Sequence, residues 1–173
     1  MRAKRLTFRT LAPGDALRIA ELAGDWDVAS MTARIPYPYT KQHAEEWMDS
    51  IAEEEFVRAI LLEGELIGAC GYFPSADGSA EIGYWLGKSW WGRGFATEAG
   101  EALVRYCFQR GRFRRLTCCH FADNTRSQRV IVKLGFTPTG ACQTFCEARR
   151  REVPAMRYER RKPALSLFRR RAA

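Results

Sequence analysis

The segment Glu81-Ile82-Gly83-Tyr84-Trp85-Leu86, followed by Gly87 to Trp91 and then Gly92-Arg93-Gly94-Phe95-Ala96-Thr97-Glu98-Ala99, holds the residue types best suited to chemistry. A strand-like run enters a short glycine-bearing loop, and the loop leads straight into a helical pattern. The first turn of a helix leaves backbone N–H groups without intrahelical partners, and the macrodipole places partial positive charge there. Gly92 and Gly94 carry no side chain, so the backbone can approach a phosphate closely. Strand, glycine loop and helix N-terminus in this order form an anion site.

Two common phosphate loops do not fit. A nucleoside-triphosphate loop ends in Gly-Lys-Ser/Thr, whereas Gly94 is followed by Phe95-Ala96. A dinucleotide fingerprint needs a third glycine inside a parallel βαβ unit. Here that position is Thr97, and the strands before it are joined by hairpin signals. Further along, Asn124-Thr125-Arg126-Ser127 stands at a helix start, and the same helix ends in Lys133-Leu134-Gly135-Phe136. Taken singly, Asn124 is an N-cap and Gly135 a C-cap.

Together the two segments resemble the GNAT superfamily of N-acetyltransferases. The acyl-CoA signature of that family reads Gln/Arg-x-x-Gly-x-Gly/Ala. Gly94 and Ala96 match it, and Trp91 departs from it at the first position. The run Trp91-Gly92-Arg93-Gly94-Phe95-Ala96-Thr97-Glu98-Ala99 is similar to the W-G-x-G-x-A-T-E-A form of the branch that acetylates ribosomal-protein N-termini (RimJ/RimL-like). Asn124, Ser127 and Lys133 to Phe136 resemble the family's N-x-x-S…K-L-G-F element, and the likeness spans Leu6 to about Tyr158.

The resemblance implies acetyl-CoA as cofactor, an amine acceptor and direct transfer in a ternary complex. The backbone of Trp91, Gly92, Arg93, Gly94, Phe95, Ala96 and Thr97 would bind the pyrophosphate, and Trp85 and Leu86 would pair with the pantetheine like an added strand. Asn124 matches a position that contacts the cofactor arm, and Ser127 one that protonates the leaving thiolate. Glu81 matches a catalytic glutamate of several relatives. A buried carboxylate there would have a raised pKa and take the amine's proton through water. Glu98 is the other candidate base by position, although the dipole accounts for an acid in the first turn of a helix. Some relatives have no dedicated base and let water remove the proton. The acceptor is expected at the first third of the chain, with Trp26, Tyr37, Tyr39 and Trp90 as walls. A peptide N-terminus and a small-molecule amine both remain open, and so does a homodimer.

The elements that must position these groups follow from periodicity and turn residues. Leu6 to Leu11 reads as a strand, Pro13 to Leu22 as a helix opened by proline, and Ile35 to Thr40 as a proline-bearing loop. Thr40 caps a helix from Lys41 to about Glu54. Strands Phe56–Leu62 and Leu66–Phe73 flank the turn Glu63-Gly64-Glu65, and Asp77-Gly78 precedes the strand Ala80–Leu86. Then come a helix from Thr97 to Arg110, a strand from Leu116 to Phe121, a helix from Asn124 to Leu134, and closing strands Thr139–Phe145 and Val153–Tyr158. The order implies a mixed α/β fold. The resemblance implies a mostly antiparallel central sheet flanked by helices and splayed at the acyl-CoA cleft.

The chain of 173 residues suits one domain, 1-173, with a basic tail from about residue 163. Its formal net charge of +8 gathers in Arg110 to Arg115, Arg149 to Lys162 and Arg169-Arg170-Arg171. Such a surface attracts polyanions. No RNP, zinc-finger or helix-turn-helix signature accompanies the charge, so a nucleic-acid-binding module is disfavoured. A CoA-binding sensor without catalysis is the other alternative, and Glu81, Asn124 and Ser127 together argue against it. No apolar run approaches a membrane span, and no signal peptide is evident at the N-terminus, which points to the cytoplasm. The six cysteines are therefore expected as reduced thiols, and their spacing matches no metal site.

Overall fold

A computed structural model describes residues 1–111 and 113–163. The tail with Arg169-Arg170-Arg171 lies outside the described residues. In chain order the elements are β1 (Leu6–Arg9), α1 (Ala16–Ala23), α2 (Trp26–Ala29), α3 (Lys41–Asp49), β2 (Phe56–Leu62), β3 (Glu65–Pro74) and β4 (Ala80–Leu86). They continue with α4 (Phe95–Gln109), β5 (Arg115–Phe121), α5 (Thr125–Lys133), β6 (Thr137–Cys146) and β7 (Arg151–Arg161). The strands form one sheet in the order β1-β2-β3-β4-β5-β7-β6.

Every neighbouring pair is antiparallel except β4 and β5, which are parallel. Their pairing is confined to Ala80 with Leu116 and Glu81 with Thr117. Beyond Glu81 the two strands diverge, so the edge of β4 from Ile82 to Leu86 that faces β5 has no strand partner. The sheet is open from that point, as the expected fold requires.

Alternation along the strands divides the side chains between two faces. Ala80, Ile82 and Leu86 of β4 pack with Phe95, Ala99, Leu103, Val104, Cys107 and Phe108 of α4 and with Ile131 and Leu134 near α5. Each large side chain buried there contributes roughly 1.5–3 kcal/mol. Gly100 lets α5 approach α4 closely, because a Cβ at that position would come within 2.6 Å of the Leu134 side chain. The opposite face packs against Ala16, Ile19, Ala20 and Leu22 of α1 and Ala44 of α3.

Several boundaries differ from the sequence reading. α3 stops at Asp49 instead of continuing to Glu54. The Ser50 amide donates to Glu46 O at 3.0 Å and its hydroxyl to Trp47 O at 2.8 Å. A longer helix would also have set Glu53, Glu54 and Glu55 at the negative end of the dipole. α4 begins at Phe95, two residues before Thr97, because Gly94 takes the left-handed conformation (φ 81°) and starts the helix. α2, absent from the sequence reading, is a four-residue turn whose N-cap Asp25 accepts the Asp27 amide at 2.8 Å. Thr40 caps α3 as expected, accepting the His43 amide at 3.3 Å. The six cysteines carry free thiols. No helix among the described residues is long and apolar enough to cross a membrane.

Candidate active site

A cleft of about 1620 Å³ runs through the opening between β4 and β5 and reaches both faces of the sheet. At its upper end stands the glycine loop. Gly92 (φ 73°) and Gly94 (φ 81°) both adopt backbone conformations that favour glycine, and a Cβ at Gly92 would meet nothing within 4 Å. The Glu98 amide donates to Gly94 O at 3.1 Å. The amides of Phe95, Ala96 and Thr97 precede it in the first turn and have no intrahelical acceptor. Gly92, Gly94, Ala96 and Thr97 line the cleft. The Phe95 side chain is buried in the core, so its contribution to the loop is its backbone. Arg93 points outward: its guanidinium lies 5.0 Å from the Phe95 ring centre, and its carbonyl accepts from Arg5.

Trp91 fixes the loop's entry. Its indole N–H donates to Leu86 O at 2.8 Å, and the Arg126 guanidinium lies 5.3 Å from the ring centre. Leu86 is buried with its carbonyl already engaged, and Trp85 turns its backbone toward β3, which leaves the β4 edge around Tyr84 free. Arg126, Arg129 and Lys133 of α5 line the same side of the cleft and make the surroundings of the loop positive. Glu98 takes no part in the cleft. Its carboxylate accepts from the Arg5 amide, from Arg5 Nε at 2.8 Å and from the Leu6 amide at 3.2 Å, and so pins the start of β1 to α4. Burial alone would raise its pKa, yet these bonds hold it below the ordinary glutamate value.

On the α5 side of the opening, Asn124 caps its helix by accepting the Ser127 amide at 3.0 Å, and its side-chain amide reaches Met31 O at 3.4 Å. The Ser127 hydroxyl is 3.1 Å from the Tyr84 hydroxyl. Sequence reasoning missed Tyr84. Its place in the alternation with Ile82 and Leu86 set its face, but 43 residues separate it from Ser127 and no local pattern joins them. Burial pushes the Tyr84 phenol above its ordinary pKa, an effect the bond to Ser127 partly offsets. The phenol therefore stays protonated at neutral pH and can act as a donor.

The opposite face carries Glu81, Gly83 and Trp85. The structure corrects the expected burial of Glu81: the side chain is exposed and makes no hydrogen bond or ion pair among the described residues. It sits where β4 is flanked by Phe73 of β3 and Thr117 of β5, at the last paired position before the strands part. A strand's alternation assigns a face but does not tell whether that face is covered. Gly83, two residues on, leaves the floor bare; a Cβ there would meet just the Phe73 ring edge, at 3.8 Å.

Of the four aromatic walls expected, Tyr39 and Trp90 line the cleft, together with Trp85. Trp26 and Tyr37 do not. They pack edge-to-face on each other with ring centres 5.1 Å apart, and both are exposed. Asp25 caps the turn that carries Trp26 and turns that residue outward, which composition alone could not reveal.

Residues 5–137 match the family model described as acetyltransferase (GNAT) domain. An uncharacterized N-acetyltransferase of Bacillus licheniformis is 28% identical over 158 residues, covering 87% of this chain and 89% of its own. The ribosomal-protein-serine acetyltransferase of Escherichia coli is 36% identical over 83 residues, 47% of this chain and 46% of its own. Among solved structures, RimL, a ribosomal alpha-N-protein acetyltransferase in complex with coenzyme A, superposes with a TM-score of 0.80 at 18% identity. The superposition covers 92% of this chain and 95% of that one. With the family model spanning most of its length, the chain belongs to the GNAT family of acetyl-CoA-dependent N-acetyltransferases.

Proposed function

We propose that the chain moves the acetyl group of acetyl-CoA directly to a primary amine in a ternary complex, with the two reactants meeting in the opening beyond Glu81. The observation that carries this reading is the end of the β4–β5 pairing at Glu81 and Thr117. The Tyr84–Ser127 hydroxyl pair lies on one face of the gap and an exposed carboxylate on the other. The residues present fit the cofactor: unpaired amides at the α4 N-terminus, two glycines with room beside them, a free strand edge, and cations on α5.

When bound, the cofactor supplies an acetyl thioester. The amides from Gly92 to Thr97 hold its pyrophosphate with no side chain in the way. The free edge of β4 between Ile82 and Trp85 would pair with the pantetheine and present a backbone N–H to the acetyl oxygen. Asn124 fixes Ser127 by capping its helix. Either hydroxyl of the Tyr84–Ser127 pair can donate; with Tyr84 as donor the serine proton is free to face the cleft, where it can meet the leaving thiolate. Glu81 receives the amine's proton through water, which its exposure admits. Acetyl-CoA is the cosubstrate of a cytoplasmic enzyme in this reading.

Calorimetric titration with acetyl-CoA, followed by a thiol-release assay over a panel of primary amines, tests the proposal. Saturable binding and amine-dependent thiol release are expected. A folded protein that binds acetyl-CoA and acetylates no amine would favour the sensor reading.

A further inference from the structure

The trough on the α1–α3 face carries charges that amine acetylation by itself does not require. The Arg34 guanidinium lies 4.6 Å from the centre of the Phe73 ring, and Phe73 is the β3 partner of Glu81. Arg157 is the β7 partner of Cys119, which stands two residues beyond Thr117, the β5 partner of Glu81. Alternation turns Phe73, Glu81, Thr117, Cys119 and Arg157 to one face. All of them line the cleft together with Arg34. Both arginines are exposed, and among the described residues neither makes an ion pair. Arg115, at the outer end of the trough, differs in being paired with Asp77 and Glu159.

The trough is also blind where β5 ends. There the β6–β7 turn is fastened to the segment after α2. The Glu147 amide donates to Ala33 O at 3.0 Å, Arg149 Nε to Ser30 O at 2.7 Å, and the Cys146 thiol reaches Thr32 O at 3.3 Å. Ala29, Ala33 and Ile35 pack beneath this clamp against Phe121, Ala148 and Val153. A molecule passing through that end would have to break these contacts. Glu81, opposite Thr117, stands between Arg115 at the outer end and this closed one, so an acceptor on this face enters past Arg115 and reaches no farther than the clamp.

Charge narrows the acceptor further. Glu46 and Glu55 line the cleft as well, besides Asp77, Asp123 and Glu159, which are ion-paired, so the field is mixed instead of uniformly positive. An acceptor with a second cation would meet Arg34 and Arg157 with like charge, and a neutral one would leave both guanidinium groups unused. A zwitterion satisfies both ends. Resting on the acetyltransferase reading, we propose that the acceptor is a primary amine with a carboxylate a few bonds away. The amine faces Glu81, Arg34 holds the carboxylate, and Arg157 completes the positive wall. A free amino acid and a peptide whose first residues are acidic both offer this chemistry.

Matched acceptors distinguish the sources: L-alanine against L-alaninamide, and the peptide amide Ala-Glu-Ala against Ala-Gln-Ala. Thiol release is measured at saturating acetyl-CoA, with rates compared per unprotonated amine because amidation alters amine basicity. The carboxylate member of at least one pair is expected to be favoured roughly 10- to 100-fold in kcat/KM, the scale of a charge-assisted contact. A preference in the first pair assigns a free amino acid, and in the second an acidic peptide. Arg34→Gln should erase the preference through KM while leaving calorimetric binding of acetyl-CoA unchanged, and Arg34→Lys should restore part of it. No carboxylate preference in either pair overturns the proposal, and so does a preference that survives both Arg34→Gln and Arg157→Gln. A wild-type protein that does not bind acetyl-CoA would instead overturn the acetyltransferase reading, and this one with it.

Discussion

Replacing Gly94 by valine separates two consequences of one residue. Gly94 has φ 81° and ψ 0° at the start of α4. An L-residue in that region costs about 1–2 kcal/mol, and a branched one is least tolerated. The added Cβ would meet a single neighbour, Arg5 Nη2 at 3.6 Å, which is ordinary contact, so the unliganded protein feels backbone strain alone. At roughly 2–4 °C per kcal/mol for a chain of this size, its melting temperature should fall by about 2–8 °C. Gly64, at the β2–β3 turn, supplies the control, because it has φ 87° and open space around it, away from the cleft. Gly64→Val should therefore melt lower by a similar amount.

Ligand then distinguishes the two variants. Acetyl-CoA at a hundredfold excess over Kd adds roughly 2.7 kcal/mol to the wild-type protein, or about 5–11 °C. Scanning fluorimetry with and without acetyl-CoA should show that full increment in Gly64→Val. It should be almost absent in Gly94→Val, whose side chain fills the space beside the pyrophosphate. A folded Gly94→Val protein that keeps the whole increment would refute the assignment of the loop.

Ser127→Ala should lower turnover by ~10-fold or more, with acetyl-CoA affinity held within a few-fold. Tyr84→Phe should act in the same direction and add nothing in the Ser127→Ala background, as residues acting as one unit do; losses that add would show the two hydroxyls to be independent. Glu98→Gln concerns stability, because the Arg5 and Leu6 bonds hold the folded carboxyl below its ordinary value near 4.5. A depressed folded pKa contributes stability above the unfolded value and loses it as pH falls through the folded one. Urea unfolding should therefore show the wild-type protein losing more stability below about pH 4.5 than Glu98→Gln, and parallel profiles would exclude the mechanism. Glu81→Gln should bind acetyl-CoA normally and turn over ~100-fold more slowly at neutral pH, with part of the loss recovered at high pH. A near-normal rate at pH 7 would make Glu81 structural.

The parts of this molecule that were legible in the sequence are those fixed by local chemistry. The strand–glycine–helix order around Gly94, the Thr40 and Asn124 caps, and the turn at Gly64 each follow from backbone groups that need partners within a few residues. Other features depend on long-range contacts. The Tyr84–Ser127 pair joins elements 43 residues apart, and the exposure of Glu81 depends on what covers its face. The outward turn of Trp26 follows from a helix of four residues, too short to leave a periodic trace. The parallel pairing of β4 with β5 is confined to two positions, and neither strand's sequence marks where it stops.

That stopping point has a chemical consequence. An amine loses a proton as it attacks, and a thiolate needs one as it leaves. If both had to pass through a single group, that group would change partners in mid-reaction. In the proposed reaction the sheet itself separates the two tasks. Glu81 is held on one face by its pairing with Phe73 and Thr117, while Ser127 and Tyr84 occupy the other. Gly83 leaves the floor bare on the Glu81 face, and the first unpaired stretch of β4 forms the edge of the opening. Water reaches the exposed carboxylate, so the proton taken from the amine can leave to solvent. Ser127 stands in a half-buried setting beside the Tyr84 phenol. In the proposed reaction, direct transfer needs no acyl-enzyme residue, because the opening brings amine and thioester together from opposite faces.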